Sequence, residues 1–428
     1  MEQYVIQGGC RLKGTVDISG AKNAAVAILP ATIVSDGICI VENVPYISDV
    51  TIMTDILADM GASVRPLDKH SYSIDTNGIR THEIVHEMSR HMRASYYFLG
   101  ALLTKFGKAR VPLPGGCNLG ARPIDQHLKA FAALGCEVSV SHGIVDVSCP
   151  DRMRGAHIFF DTVSVGTTIN AILASVKAEG QTILENVAKE PHIVDVANFL
   201  NSMGADVRGA GTDVIKIRGV DYLRGTHYSI IPDQIEAGTY MAAAVATGGD
   251  VIINKVTPKH LESITSRLLC AGASVEEYEE SLRIYRTAPI TPTNIKTMPH
   301  PGFPTDMQPQ MAVVLALAEG TSIITEGVWD NRFKYVDELR RMGANIQVDG
   351  KVAVIEGVEC LTAAPVKATD LRAGAAMIIA GLAAEGETHI EDIYHVERGY
   401  EDVVEKFRAL GADIKKVEDD NYIMMQAN

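Results

Sequence analysis

The chain repeats one short pattern six times, and this repetition limits its possible folds more than any other feature. In each copy a glycine is followed by a small residue and then by a pattern typical of a strand. The glycines are Gly61, Gly135, Gly204, Gly272, Gly343 and Gly411. Their spacing of roughly 70 residues exceeds that of most solenoid repeats and suits a small folding unit. We therefore expect six copies of one structural unit.

Each copy has the same order of segments. An alanine-rich apolar helix, such as 311–318 or 375–382, comes first and is too apolar to face water. A short strand, a polar loop and an amphipathic helix such as 336–342 follow, before a hairpin leads to the next copy. Three copies around one axis would bury three apolar helices. The six copies therefore predict an α/β protein with two pseudo-threefold domains.

The limits of these domains follow from the repeat. Residues 21–229 hold the first three copies and are expected to form the N-terminal domain. Residues 230–428 hold the other three. Residues 1–20 precede the first helix and have a strand pattern, so we expect them to complete the last copy and join the C-terminal domain.

Composition and charge exclude several classes of protein. The net charge of −14 argues against nucleic acid as the main partner, because nucleic acid requires a basic face. Seven scattered cysteines without a C-x-x-C pair indicate a reducing compartment rather than a disulfide framework. The sequence has no pattern of a signal peptide or of a membrane span. We therefore expect a cytoplasmic protein without membrane insertion, and the oligomeric state stays open.

Cys117 lies in a segment with three glycines, 114–120. Glycine tolerates unusual backbone angles, so a mobile loop is expected here. Arg122 follows closely enough to lower the pKa of the thiol or to hold an anion beside it. Asp125 and His127 follow where a helical pattern begins. The alternative is a glycine-rich connection with a buried, unreactive cysteine.

Polar residues interrupt the apolar pattern where the first helix of each copy begins. Helix N-termini present free N–H groups and a partial positive charge, which suit phosphate and carboxylate ligands. Arg332 and Arg398 lie in the loops before second helices, as does Arg122. Helix caps and surface charges are the alternative. The residues at the helix starts include Lys22, Asn23, Arg93, Ser164, Val165, Gly166, Asp306, Asp370, Leu371 and Arg372. In two pseudo-threefold domains, the N-termini of these helices would face one cleft. Such a cleft would suit a substrate with several negative charges.

One motif points to a metal, but its surroundings do not support it. Residues 82–86 match the H-E-x-x-H pattern, which needs a helix and a third ligand to bind zinc. The segment has little apolar support for a helix. Since phosphate-binding and dinucleotide-binding glycine loops are also missing from the sequence, neither a metal nor an organic cofactor is expected.

With these motifs the sequence resembles the UDP-N-acetylglucosamine enolpyruvyl transferases, part of the enolpyruvyl transferase family. The resemblance covers nearly the whole chain. It rests on the motifs at 92–95, 114–123, 164–166, 301–306, 331–333, 370–372 and 398–401. It implies two inverted α/β barrels of three repeats each, with the active site in the cleft between the domains.

The resemblance also implies a reaction. The enolpyruvyl group of phosphoenolpyruvate would move to the 3′-hydroxyl of UDP-N-acetylglucosamine, and phosphate would be released. This transfer commits the nucleotide sugar to bacterial cell-wall (peptidoglycan) synthesis, on which cell shape and cell division depend. Enzymes of this kind are the targets of the epoxide antibiotic fosfomycin.

The site residues implied by the resemblance fall into groups. Those expected to bind phosphoenolpyruvate are Lys22, Arg122, Arg332, Arg372 and Arg398. Those expected to contact the nucleotide sugar are Asn23, Arg93, Ser164, Gly166 and Asp306. The same motifs place further residues at the substrates, namely Pro123, Asp125, His127, Val165, Phe333 and Leu371. Asp306 would be the base for the hydroxyl, Cys117 the acid for the enol carbon, and Asp370 a partner in proton transfer.

Two other functions are compatible with the same fold. The sibling enzyme that makes enolpyruvylshikimate phosphate lacks the cysteine loop, so Cys117 argues against it. A catalytically weak regulatory paralogue is the second alternative, and the complete set of polar residues argues against that. The sequence departs from the family at Gln234, where arginine is usual, which puts in doubt a salt bridge near the domain boundary.

Overall fold

The computed structural model describes residues 2–84, 92–113 and 124–418, with only the backbone of Arg93. These residues form two compact units. The N-terminal unit comprises residues 20–84, 92–113 and 124–231, and the C-terminal unit comprises residues 2–19 and 232–418.

The chain begins with two strands of the C-terminal unit and then forms the N-terminal unit. The first strands are β1 (Glu2–Gln7) and β2 (Lys13–Asp17). The helices of the N-terminal unit are α1 (Lys22–Ala31), α2 (Ser48–Asp59), α3 (Tyr97–Phe106), α4 (Asp125–Ala133), α5 (Val165–Ser175) and α6 (Pro191–Ser202). Its strands are β3 (Cys39–Glu42), β4 (Ser63–Asp68), β5 (Ser71–Asp75), β6 (Lys108–Pro112), β7 (Glu137–Ser141), β8 (Ile144–Ser148), β9 (His157–Phe159), β10 (Gln181–Glu185), β11 (Asp206–Arg208), β12 (Val214–Arg218) and β13 (His227–Ser229).

The C-terminal unit repeats this order of elements. Its helices are α7 (Gln234–Thr247), α8 (Glu262–Cys270), α9 (Gln308–Ala316), α10 (Val336–Arg341), α11 (Leu371–Ala383), α12 (Tyr394–Glu397) and α13 (Val403–Ala409). Its strands are β14 (Asp250–Asn254), β15 (Ser274–Glu277), β16 (Ser281–Tyr285), β17 (Ile295–Lys296), β18 (Thr321–Thr325), β19 (Asn345–Asp349), β20 (Val352–Glu356), β21 (Pro365–Lys367), β22 (Glu387–Glu391) and β23 (Asp413–Glu418).

The strands form six small sheets, of which five have four strands and a common topology and one has three strands. The sheet orders are β13-β3-β5-β4, β6-β8-β7, β11-β12-β10-β9, β15-β16-β14-β2, β17-β18-β20-β19 and β21-β22-β1-β23. A four-stranded sheet has one parallel pair, such as β2 with β14, and two antiparallel pairs. Strand β1 lies between β22 and β23, where Tyr4 pairs with Ile390 and Lys416. The N-terminal segment is thus part of the last sheet of the C-terminal unit.

The repeated glycine ends the outer helix of each copy. Gly343 follows α10 with a φ of 89°, and its N–H donates to Arg340 O at 3.0 Å. The other five glycines also have φ values between 89° and 106°. This left-handed conformation is unfavourable for residues with a Cβ atom, which explains why the pattern requires glycine. Strand β19 begins two residues later, as the sequence pattern predicts.

The inner helices α1, α3, α5, α7, α9 and α11 form the cores of the two units. Every residue of α7 from Ile235 to Ala246 is buried, because alanine and glycine allow neighbouring helices to approach closely. In the N-terminal unit, a Cβ added to Gly100 on α3 would lie 2.5 Å from the Asn170 carbonyl oxygen on α5. The predicted α/β architecture with buried apolar helices is confirmed.

One pair of cysteines differs from the expectation of a reducing compartment without disulfides. Cys136 and Cys149 form a disulfide, with 4.1 Å between their Cα atoms. They flank the β7–β8 hairpin, immediately beyond the paired residues Glu137 and Ser148. The prediction was wrong for this pair, because a spacing of 13 residues does not reveal that both cysteines lie at the open end of one hairpin.

Residues 82–84, the start of the H-E-x-x-H motif, are not helical, and residues 85 and 86 lie outside the described residues. Glu83 forms an isolated parallel bridge with Arg110, and the two side chains form an ion pair at 3.2 Å. This bridge extends the three-stranded sheet at the position that a parallel strand occupies in the other sheets. In the described ranges, no helix is long and apolar enough to cross a membrane.

A buried carboxyl group anchors the end of the N-terminal unit. Asp195 on α6 is 1% exposed. Its Oδ1 accepts a hydrogen bond from the Tyr228 hydroxyl at 2.5 Å, and its Oδ2 accepts one from the Ile231 N–H at 3.3 Å. Burial raises the pKa of Asp195 from 3.8 to about 6, although both hydrogen bonds act in the opposite direction.

This shift predicts a pH-dependent contribution to stability. Because the pKa of Asp195 is raised in the folded state, the protonated carboxyl group adds to the free energy of unfolding. This contribution is complete below pH 3.8 and is lost as the pH rises through about 6. Between pH 5 and pH 8 the loss amounts to about 1 kcal/mol. Asp195→Asn does not titrate, so urea unfolding should show its stability relative to the wild type improving by that amount over this range. Parallel pH profiles for the two proteins would contradict the prediction.

Candidate active site

Two buried arginines and one aspartate form a charged group in the C-terminal unit. Asp306 lies in a 3₁₀ turn, Thr305–Met307, directly before α9. Arg372 donates from Nε and Nη2 to Asp306 Oδ2 at 3.2 and 3.0 Å. Arg332 Nη2 lies 3.4 Å from Asp306 Oδ1. Both arginines are only 3% exposed, so the carboxylate is a necessary counter-charge for them.

Each of these arginines also carries a donor that is not used within the described residues. Arg372 Nη1 and Arg332 Nε are buried and make no hydrogen bond to the part of the chain that the structure describes. An unsatisfied buried N–H costs free energy, and more so on a charged group. Both atoms are therefore suited to donate to the carboxylate or phosphate oxygen of a ligand.

The start of α11 determines where Arg372 lies. Asp370 is the N-cap of this helix, and its Oδ1 accepts hydrogen bonds from the backbone N–H groups of Arg372 and Ala373 at 2.8 and 3.0 Å. Leu371 is the first residue of the helix. Asp370 thus fixes the backbone of Arg372, while its predicted part in proton transfer stays a prediction.

The other predicted residues of this unit lie in nearby turns. Arg332 and Phe333 begin the 3₁₀ turn Arg332–Tyr335, and Phe333 is buried with its ring centroid 6.4 Å from that of Tyr335. Arg398 directly follows α12. Its charge lowers the pKa of the half-buried His395, together with the larger effect of burial. The charge of Arg398 therefore acts on His395, a residue of α12.

In the N-terminal unit, the predicted lysine has a buried partner. Lys22 is the first residue of α1, and its Nζ lies 3.0 Å from Oδ2 of Asp49, a residue of α2 that is 1% exposed. Asn23 is the next residue of α1. The ion pair restrains the lysine side chain at the start of its helix. Sequence reasoning missed Asp49, because no sequence pattern links it to Lys22.

The start of α5 approaches an imidazole ring. Ser164 is the N-cap of α5, where its Oγ accepts from the Thr167 N–H at 3.4 Å, and Val165 is the first residue of the helix. A Cβ added to Gly166 would lie 3.3 Å from His127 Cε1, which is closer than most Cβ contacts, so a side chain here would require the ring to shift slightly. The structure thus brings together three of the predicted residues with His127.

Hydrogen bonds select the tautomer of His127. Asn170 Oδ1 accepts from the Gly100 N–H at 2.8 Å, so the amide nitrogen of Asn170 is the group that lies 3.1 Å from His127 Nδ1. The amide donates and Nδ1 accepts, so the neutral ring carries its proton on Nε2. Asn170 is fully buried. A lone asparagine inside an apolar helix was the sequence signal that could have identified it.

Asp125 begins α4, two residues before His127. Gln126 Nε2 donates to Asp125 Oδ2 at 2.8 Å and to Asp161 Oδ2 at 3.0 Å. Arg93 begins the 3₁₀ turn Arg93–Tyr96 before α3. The predicted residues Cys117, Arg122 and Pro123 lie outside the described residues.

Comparisons with known proteins agree with this arrangement. The family model of EPSP synthase (3-phosphoshikimate 1-carboxyvinyltransferase) matches residues 6–423. The chain is 57% identical to UDP-N-acetylglucosamine 1-carboxyvinyltransferase 3 of Caldanaerobacter subterraneus subsp. tengcongensis, over 97% of this chain and 100% of the relative. It is 56% identical to UDP-N-acetylglucosamine 1-carboxyvinyltransferase of Clostridium botulinum, with the same coverage.

Solved structures show the same fold. The enolpyruvyl transferase NikO from Streptomyces tendae is similar with a TM-score of 0.88 and 27% identity, over 97% of this chain and 99% of that one. EPSP synthase from Acinetobacter baumannii has a TM-score of 0.77 at 19% identity, over 98% and 100% of the two chains, which shows the fold alone. With the full-length identities above, the chain belongs to the UDP-N-acetylglucosamine 1-carboxyvinyltransferases, within the larger family that the EPSP synthase model describes.

Proposed function

We propose that this chain transfers the enolpyruvyl group of phosphoenolpyruvate to the 3′-hydroxyl of UDP-N-acetylglucosamine and releases phosphate. The reaction is the first committed step of peptidoglycan precursor synthesis. Relatives more than half identical over their full length carry the name of this activity. The structural observation that carries the chemistry is the group formed by Asp306 with Arg332 and Arg372. It combines a carboxylate base with buried guanidinium donors for an anionic substrate.

The arginines have two tasks in this proposal. Arg332 and Arg372 bind the anionic groups of phosphoenolpyruvate, together with Lys22, Arg122 and Arg398. Two guanidinium charges also favour the ionised form of Asp306, which makes it a weak base before the substrate arrives. An anionic substrate shares those charges, so its binding strengthens Asp306 as a base. Asn23, Arg93, Ser164 and Gly166 contact the nucleotide sugar. Further residues bind the substrates, namely Pro123, Asp125, His127, Val165, Phe333 and Leu371.

The transfer is an addition followed by an elimination. The 3′-hydroxyl gives its proton to Asp306 while its oxygen bonds to C2 of phosphoenolpyruvate, and the Cys117 thiol gives its proton to C3. Departure of phosphate from C2 and loss of one proton from C3 then restore the double bond. Asp370 is a partner in these proton transfers. One enolpyruvyl group is gained for each phosphate released, so the atoms balance.

These steps require only acids, bases and anion-binding groups, so we propose no metal or organic cofactor. We place the enzyme in the cytoplasm and expect its loss to disturb cell shape and division. A reactive Cys117 would also open the epoxide ring of fosfomycin. Phosphate release from phosphoenolpyruvate should depend on UDP-N-acetylglucosamine and should survive exhaustive chelation. Release that stops on chelation and returns with a divalent cation would contradict the cofactor-free mechanism.

A further inference from the structure

The hydroxyl of Tyr400 lies where side chains of two inner helices meet. Tyr400 is 3% exposed, and its hydroxyl oxygen lies 2.8 Å from Thr239 Oγ1 on α7. Gln310 on α9 is fully buried, and its Nε2 lies 3.4 Å from the Tyr400 hydroxyl and 3.3 Å from Thr239 Oγ1. Three polar side chains thus form one cluster inside an otherwise apolar core.

The donors of this cluster can be assigned. Thr239 Oγ1 donates its single proton to the Ile235 carbonyl oxygen at 2.8 Å. It can therefore only accept from the Tyr400 hydroxyl, and the Gln310 amide donates to both oxygens. Burial raises the pKa of Tyr400, so the hydroxyl keeps its proton. The cluster holds the phenol in one orientation.

The ring of Tyr400 in turn flanks the guanidinium group of Arg372. The Arg372 Cζ atom lies 5.6 Å from the centroid of the ring, within the range of a cation–π contact. Arg372 Nε and Nη2 are occupied by Asp306, and Nη1 makes no hydrogen bond within the described residues. The Arg372 guanidinium also interacts with the Tyr400 hydroxyl and, against the larger effect of burial, lowers the pKa of that hydroxyl. The guanidinium is therefore held by the carboxylate and by both the ring and the hydroxyl of Tyr400, while Nη1 meets no strict hydrogen-bond geometry within the described residues.

We propose that Tyr400 is a positioning residue for Arg372, and that Thr239 and Gln310 fix it in this role. The cluster sets the direction of Arg372 Nη1 and so the binding of an anionic oxygen. That the anion belongs to phosphoenolpyruvate rests on the proposed function. If position 400 served packing alone, phenylalanine would suffice, because it has the same ring. Phenylalanine would also avoid the cost of burying a hydroxyl group.

The chain offers a matched control in Tyr240. It is fully buried in the same unit, its ring packs on that of Phe407 at 4.8 Å, and its hydroxyl has no hydrogen-bond partner within the described ranges. Tyr240→Phe and Tyr400→Phe remove the same atom from the same core. Of these two tyrosines, Tyr400 is the one that contacts Arg372. Its substitution should therefore alter anion binding, and that of Tyr240 should not.

The test compares the Michaelis constants of the two variants. Tyr400→Phe should raise the KM for phosphoenolpyruvate about five- to tenfold, while the KM for UDP-N-acetylglucosamine stays unchanged. Tyr240→Phe should leave both constants unchanged. Thr239→Val removes the acceptor of the Tyr400 proton without changing shape, so it should cause a smaller rise of the same kind. It serves as the test if Tyr400→Phe does not fold.

Each outcome decides the question. Equal KM values for phosphoenolpyruvate in the wild type and in the folded Tyr400 or Thr239 variants would overturn the proposal, as would equal rises for both substrates. Calorimetry with phosphoenolpyruvate separates this from failure of the proposed function. If the wild type binds phosphoenolpyruvate but transfers nothing, the transferase proposal fails while weaker binding by Tyr400→Phe still supports the positioning role. If the wild type does not bind it, both fail.

Discussion

Replacing Asp306 by asparagine should lower kcat by about 100-fold or more, because the amide keeps the shape of the side chain but cannot accept the proton of the acceptor hydroxyl. The structure adds a second consequence. Asp306 is the counter-charge of Arg332 and Arg372, which are both buried, so the variant should also be less stable. Turnover must therefore be measured on protein shown to be folded, below its lowered melting temperature.

An exposed aspartate provides the control for Asp306. Asp337 is paired with Arg340 at 3.0 Å, with 78% of its side chain exposed. Asp337→Asn makes the same chemical change in an aspartate–arginine pair, and should leave kcat and the melting temperature nearly unchanged. Turnover of Asp306→Asn within a factor of a few of the wild type would show that another group is the base.

Replacing Cys117 by serine should nearly abolish activity, whereas aspartate should retain an appreciable part of it. A serine hydroxyl is too weak an acid to protonate the enol carbon, while a carboxyl group can donate a proton. The pH profile of Cys117→Asp should be shifted, because a carboxyl group titrates at lower pH than a thiol. The same variant should resist inactivation by fosfomycin, since it has lost the nucleophilic sulfur.

Cys270 is a suitable control because it is a free and exposed thiol. Cys270→Ser should keep full activity and full sensitivity to fosfomycin. Steady-state rates and the rate of inactivation by the epoxide would be measured for all three variants. An active serine variant beside a dead aspartate variant would contradict the assignment of Cys117 as an acid.

The fold could be predicted from the sequence because its signal is repeated. Each glycine such as Gly343 must adopt a positive φ between a helix and a strand, and the same local requirement occurs six times. The apolar inner helices follow from their lack of a polar face, as α7 illustrates. The Cys136–Cys149 disulfide had no such signal, because it depends on how one hairpin closes.

The site was predictable only in part. Residues at helix starts, such as Lys22 and Arg372, are visible as polar interruptions of an apolar pattern. Their partners are not, because Asp49 and Tyr400 reach them from other segments through tertiary packing. Thr239 and Gln310 were detectable as polar residues within buried helices, but their meeting at one hydroxyl was not. The assignment of Cys117 as an acid stays a prediction from the sequence.

The most direct test of the proposed function is a competition between the two candidate acceptors. Purified protein would be mixed with phosphoenolpyruvate, UDP-N-acetylglucosamine and shikimate 3-phosphate at equal concentrations, and the products identified by mass spectrometry. We predict that UDP-N-acetylglucosamine alone gains the mass of an enolpyruvyl group, with one phosphate released for each product formed. Enolpyruvyl transfer to shikimate 3-phosphate, or phosphate release without transfer to UDP-N-acetylglucosamine, would contradict the proposed function.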